Sequence, residues 1–210
     1  MVPLILASAS PRRAEMLREA GMAFRVVVSP AREPARKPAG MPVELWPMCL
    51  AYIKARAVRD HLQGAVRDHL EGSNAKRRTR GAGASPLILA ADTIVVNGPH
   101  ILNKARHRAH AREMLGSLRG KTHRVITGIC LLRGERVRLA YAEAVCRVRN
   151  VSAAWLEKYL DSGLWRGKAG AYGIQDGHDP FVELVRGEFS TVVGLPLALV
   201  QSEIASFAKE

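Results

Sequence analysis

Aromatic side chains are scarce in this 210-residue sequence, with four Phe, four Tyr and three Trp. So few rings for base stacking argue against a platform for single-stranded nucleic acid. Cysteine is scarcer still. Cys49, Cys130 and Cys146 are odd in number, scattered and without Cys-x-x-Cys spacing, which excludes a disulfide framework and a zinc site and fits reduced thiols. No apolar run approaches the length of a membrane span, and the N-terminus lacks the basic-then-apolar order of a signal peptide. The expectation is a soluble, cytoplasmic protein that contacts no membrane. Acidic residues are few as well. The 19 Asp and Glu stand against 32 Lys and Arg, a net charge of +13. Such a surface draws nucleic acid or steers a small polyanion.

At 48% hydrophobic, the chain can bury a full core as one domain over 1–210. Apolar runs predict strands over 4–7, 24–28, 87–91, 181–185 and 191–193. They also predict a hairpin of 125–132 with 138–148 around Gly134. Strand 87–91 is read as ending at Asp92, with 93–97 continuing extended. Helical spacing predicts helices over 11–20 (stopped by Gly21), 43–61, 106–118 and 196–208, and one running from a Ser152 cap to Leu160. Helices interspersed with strands and hairpins make the fold class α/β with a mixed sheet. Residues 57–64 and 65–72 are a tandem duplication with one substitution, Gln63 against Glu71. Two copies are too few for a solenoid, so 64–85 is read as a flexible surface insertion. The basic stretch at 59–80 holds six basic against three acidic side chains. Ten of the thirteen excess charges therefore lie elsewhere.

Two segments invite a chemical reading. In Ser8-Ala9-Ser10-Pro11-Arg12-Arg13, Ser10 suits a helix N-cap and Pro11 the first helical position. N–H groups at a helix start attract anions, and two arginines add fork-shaped donors for phosphate oxygens. The same residues also suit a simple capped helix with solvated arginines. Asp92 follows the apolar run Leu87-Ile88-Leu89-Ala90-Ala91. At a strand's C-terminal edge its carboxylate can bind Mg²⁺ or Mn²⁺ or take a proton from water; as an alternative, it only begins a turn. His107 and His110 lie three apart on the expected helix, but no cysteine or carboxylate pair follows with zinc spacing, so both are read as surface histidines. His123 has two readings, a phosphate contact or a structural role.

The N-terminal segment resembles the signature of the Maf family of nucleoside triphosphate pyrophosphatases, and further motifs match in the same order. They are Leu50-Ala51-Tyr52-Ile53-Lys54-Ala55, Ala91-Asp92-Thr93 and Thr122-His123-Arg124-Val125-Ile126-Thr127-Gly128, then Gly167-Lys168-Ala169-Gly170-Ala171-Tyr172-Gly173-Ile174-Gln175 and Val192-Val193-Gly194-Leu195-Pro196. Leu102-Asn103-Lys104-Ala105 stands where the family has Leu-Gly-Lys-Pro, keeping the charge and losing the residues that shape the turn. Where many members have consecutive acids, this chain reads Ala31-Arg32-Glu33. The resemblance implies a Maf/ITPase-like fold, an elongated mixed sheet flanked by helices. It implies Asp92 as proton acceptor, Glu33 and Asp92 as ligands of Mg²⁺ or Mn²⁺, and Ser8, Arg12, Arg13, Lys54, Lys104 and Lys168 around the phosphates. Arg12, Thr93 and Gln175 stand where the family prefers dTTP and UTP, and Gln175 offers both a donor and an acceptor to a base edge. A homodimer is implied too. The rival from another class is a non-enzymatic nucleic-acid-binding or septum-formation regulatory protein, motivated by the charge.

Overall fold

The computed structural model describes residues 4–71, 85–175 and 181–209. The chain divides into two compact units, one of Met1–Asp92, Gly128–Ala140 and Leu197–Glu210, the other of Thr93–Thr127 and Tyr141–Pro196.

In the first unit, β1 (Leu4–Leu6) is buried throughout and pairs in parallel with β2 (Phe24–Val26) and with β3 (Leu87–Asn97). A strand paired on both sides and covered on both faces needs a continuous apolar run, and Leu4-Ile5-Leu6 supplies one. Helix α1 (Pro11–Glu19) begins with Pro11 in its first turn and buries Ala14, Met16 and Leu17. It ends as expected at Gly21, whose φ of +69° lets the chain reverse with its N–H on the Arg18 carbonyl. Helix α2 (Leu45–Glu71) lays Ala51, Ala55 and Val58 against Ile5, Ala7, Ile88, Ala90, Cys130 and Leu132. Small residues on both sides allow close approach. The tightest point is Gly128, where a Cβ would sit 2.4 Å from the backbone nitrogen of Met48. Only glycine fits there. Helix α6 (Leu197–Lys209) closes this unit and buries Val200 and Phe207.

The second unit holds the end of β3, β4 (His100–Leu102), α3 (Arg108–Leu118), α4 (Ala153–Ser162), β7 (Val182–Arg186) and the short α5 (Phe189–Val193). Its core joins Met114, Leu115 and Leu118 of α3 to Leu156, Tyr159 and Leu160 of α4, with Trp165, Tyr172 and Phe181. Ser152 caps α4 as expected, its hydroxyl accepting the Trp155 N–H at 3.1 Å. The strands β5 (Thr122–Arg133) and β6 (Arg136–Val148) form the expected hairpin around Gly134, and each passes from one unit into the other, as β3 does. The seven strands make one mixed sheet in the order β2-β1-β3-β5-β6-β7, with β4 on β3.

Three local expectations change. Asp92 does not end a strand; β3 runs unbroken to Asn97. Its neighbour β1 stops first, at Leu6, so Asp92 lies beyond the end of β1 instead. Helix α2 continues through Gly64 to Glu71, because seven residues of the second repeat copy preserve the helical spacing of the first. The expected loop therefore begins no earlier than residue 72, and 72–84 lie outside the described residues. Residues 191–193, read as a strand from their β-branched run, belong to α5, which Gly194 ends in a left-handed conformation.

Candidate active site

The chain leaves β1 through Ala7 and Ser8, and the Ser8 hydroxyl, nearly buried, accepts the Ser10 N–H at 3.2 Å and Arg13 Nη1 at 3.3 Å. Ser10 has the extended backbone of an N-cap, but its side chain makes no capping bond. The hydroxyl that organises this turn belongs to Ser8. Arg13 Nη1 also donates to the Ala91 carbonyl at 2.8 Å, one residue before Asp92. Burial pushes the Arg13 pKa down, while the neighbouring Asp92 charge pulls it up. Arg12, second in α1, is half-exposed.

Asp92 meets Lys54 of α2, with Lys54 Nζ 2.5 Å from Asp92 Oδ1 and 3.4 Å from Glu33 Oε2. The Lys54 and Asp92 side chains are only 12% and 14% exposed, whereas that of Glu33 is 45% exposed. A charged pair so shielded is strengthened by low dielectric, and Lys54 keeps a second carboxylate, that of Glu33, within reach. Glu33 arrives on a loop pinned by Ser29, whose hydroxyl donates to the Lys54 carbonyl at 3.1 Å and accepts the Ala31 N–H at 3.3 Å. Sequence reasoning missed Ser29, though Ser29-Pro30 carries a turn-initiating signal. The first unit thus brings Ser8, Arg13, Glu33, Lys54 and Asp92 together. Among the described residues no group of three or more His, Cys, Asp or Glu is placed to hold a metal; Asp92 and Glu33 form a pair of hard oxygen donors on one cation.

In the second unit, Lys104 forms an isolated antiparallel bridge with Ala169, and the Gly170 N–H lies 3.2 Å from both the Leu102 and Asn103 carbonyls. That pairing sets the Lys104 segment beside the one carrying Lys168. Lys104 is exposed and Lys168 buried. Asn103 and Ala105 replace the family's turn-shaping residues, yet the turn is held by backbone bonds that need neither side chain. Ala171, at φ +63°, is a non-glycine residue in the left-handed region, held there in the core. Gln175 is exposed in a turn.

Thr93 Oγ1 lies 2.9 Å from Thr127 Oγ1, and the Thr127 hydroxyl donates to the Thr191 carbonyl at 2.8 Å. Thr127 and Thr191 are fully buried; neither stood among the candidate site residues. The histidines have structural places. His123 is 4% exposed, with Nε2 2.6 Å from the Tyr172 hydroxyl. Burial lowers its pKa to about 4. The same hydroxyl is bonded to the Cys146 thiol, which burial pushes up to about 11. His107 Nδ1 caps α3 by accepting the His110 N–H at 3.2 Å.

The family described as Maf-like protein matches residues 3–207. A protein of Symbiobacterium thermophilum named dTTP/UTP pyrophosphatase is 40% identical over 197 residues, covering 94% of this chain and 90% of its own. Proteins of the same name from Pyrococcus abyssi and Agrobacterium fabrum are 37% and 36% identical. They cover 94% and 92% of this chain, and 92% and 86% of their own lengths. With the α/β fold, the mixed seven-stranded sheet and the ordered motifs, these likenesses place the chain in the Maf family.

Proposed function

We propose that this chain is a nucleoside triphosphate pyrophosphatase, cleaving dTTP and UTP to the monophosphate and pyrophosphate, with 1–210 acting as one functional domain. The observation that carries the reading is the Asp92 carboxylate held by Lys54 with Arg13 alongside. The relatives' names support the reaction and the two nucleotides. Net charge does not separate this reading from a nucleic-acid-binding one, since both use it. The shielded carboxylate favours the enzyme, because a general base needs a carboxylate and a phosphate-binding surface does not.

In this reading Asp92 accepts a proton from water as the water oxygen bonds to the α-phosphorus. The bond from that phosphorus to the bridging oxygen breaks, and pyrophosphate leaves with the electron pair. Lys54 orients the Asp92 carboxylate, and Arg13 braces the backbone before it through the Ala91 carbonyl. Ser8 holds Arg13. Arg12, Lys104 and Lys168 offset phosphate charge by electrostatics and positioning. Thr93 and Gln175 read the base.

The donor set fits a divalent cation, Mg²⁺ or Mn²⁺. Asp92 and Glu33 already converge on one positive charge, and one or two carboxylates completed by substrate phosphates is a usual Mg²⁺ arrangement. When bound, the ion neutralises phosphate charge and orients the attacking water. Among the described residues no helix is long and apolar enough to cross a membrane. The free thiols of Cys49, Cys130 and Cys146 support a cytoplasmic setting. Val137 and Leu139, more than 40% exposed on β6, support a homodimer.

The test is pyrophosphate release by the purified chain from dTTP, UTP, CTP and 7-methyl-GTP, with Mg²⁺ or Mn²⁺ and again with chelator. Release from dTTP and UTP that chelation abolishes is the expected outcome. A folded, metal-supplied protein that releases nothing from any of the four would overturn the reading.

A further inference from the structure

A lysine on a helix ordinarily stretches its ammonium out into water. Lys54 does not. Its side chain is 12% exposed, and its ammonium lies 2.5 Å from Asp92 Oδ1 and 3.4 Å from Glu33 Oε2. Among the described residues the ammonium has these two partners and no others. The backbone of Lys54 is seated as well. The Ser29 hydroxyl donates to the Lys54 carbonyl at 3.1 Å and accepts the Ala31 N–H at 3.3 Å, which fastens the loop carrying Glu33 to the residue whose ammonium reaches it. Helix α2, strand β3 and that loop supply the three groups, all within the first unit.

Two carboxylates this close attract any cation between them. The proposed function gives them a divalent ion, and the fold already gives them an ammonium. Both cations are drawn to the same oxygens, and like charges a few ångströms apart repel. Lysine suits the yielding side of that competition. Its charge is a point on a flexible four-carbon stem, able to swing away without moving α2. Glu33, 45% exposed and held at the longer distance, is the contact that gives first.

We infer that Lys54 is a place-holding cation, a positioning residue whose ammonium keeps the Asp92 and Glu33 carboxylates together and is displaced from them when a divalent metal ion binds. This rests on the proposed assignment of the metal to those two acids. Metal entry is then an exchange of one cation for another, so the ion binds weakly on its own. The displaced ammonium, still shielded, needs a new anion, and the triphosphate of the substrate supplies one.

The test titrates Mn²⁺ into nucleotide-free protein and reads free Mn²⁺ by electron paramagnetic resonance, in wild type, Lys54→Met and Lys54→Arg. Methionine keeps most of the side-chain length and removes the charge. Mn²⁺ should then bind about tenfold tighter, as expected for a unit charge lost at ion-pair range. Arginine restores the charge and should restore the weaker binding. A merely structural lysine predicts the reverse, weaker binding as the site loosens. Methionine binding Mn²⁺ no tighter than wild type, or both variants binding it equally tighter, overturns the inference. Should the methionine variant fail to fold, the wild type still answers. Reductive methylation of Lys54, read by mass spectrometry against the exposed Lys121, should speed up when Mg²⁺ is added. Unchanged or slower labelling overturns the inference. Asp92→Asn separates it from the reading on which it rests. If that variant loses Mn²⁺ binding while Lys54→Met does not tighten it, the inference falls and the metal assignment stands. If Asp92→Asn and Glu33→Gln both bind Mn²⁺ as the wild type does, the metal assignment falls, and this inference with it.

Discussion

Asp92 in the first unit and His123 in the second each meet one partner at similar range, 2.5 Å to Lys54 and 2.6 Å to Tyr172. They have opposite fates. Around Asp92 the chain gathers charge, with Lys54, Arg13 and Glu33 from three segments. Around His123 it gathers neutral groups, the Tyr172 hydroxyl and, through it, the Cys146 thiol. Burial holds His123 down to about 4, and it pushes the Tyr172 hydroxyl well above its ordinary range. The partners make the difference. A titratable side chain surrounded by opposite charge can do ionic chemistry, while one paired with neutral hydrogen bonders is a strut in the core. Residue type alone distinguishes neither case.

The largest effect that would sharpen this contrast is on turnover. Asp92→Asn keeps the shape and loses the proposed proton acceptor, so kcat/KM should fall about a thousandfold, within the usual range for a general base. Thermal unfolding should move little, because Lys54 retains Glu33. Steady-state kinetics and a melting curve on one preparation decide it. Near wild-type turnover would remove Asp92 from the mechanism and with it the difference between the two clusters.

The next effect is on stability against pH, and belongs to His123. Its folded pKa of about 4 lies below the ordinary 6.5. Between these values the unfolded chain binds the proton and the folded chain does not, so stability falls as pH drops from 6.5 toward 4. The span corresponds to about 3 kcal/mol at 1.4 kcal/mol per unit. Urea unfolding at several pH values should show that loss in the wild type and a shallower one in His123→Gln. Equal slopes would mean that His123 is not held neutral by the fold.

Much of this was legible in the chain, for physical reasons that differ by element. Helix α1 was readable because Pro11 and Gly21 punctuate it, and α4 because Ser152 caps it. Lys54 and Asp92 were readable through motifs that place a charge at a fixed point on a helix or strand. The reach of α2 was hidden, since Gly64 and the duplication read as breakers although the helical spacing persists to Glu71. α5 was hidden for the opposite reason. Thr191-Val192-Val193 has strand propensity, and the backbone turn closed by Gly194 overrides it. Ser29 was not singled out, and Thr127 was read only as part of a motif, because each acts through a carbonyl of a segment remote in sequence. A hydroxyl donating to a distant backbone leaves no pattern in its own neighbourhood.

The smallest effect tests the neutral cluster at its centre. Tyr172→Phe removes the hydroxyl between His123 Nε2 and the Cys146 thiol and leaves the ring in its edge contact with Phe181. His123 then has both ring nitrogens without partners, since Nδ1 already lacks one among the described residues. An unsatisfied buried group costs about 1–3 kcal/mol, so the unfolding midpoint should drop by several degrees for a chain of this size. Turnover at a temperature where the variant is folded should stay within about twofold, because a bond between neutral groups supplies no charge to the reaction. The pairing with Asp92→Asn is what gives this measurement its force. One substitution should move rate and spare stability, the other stability and spare rate. If Tyr172→Phe instead lowered kcat with its melting curve unchanged, the His123 cluster would be acting on the reaction, and the division between ionic chemistry and neutral scaffold would fail.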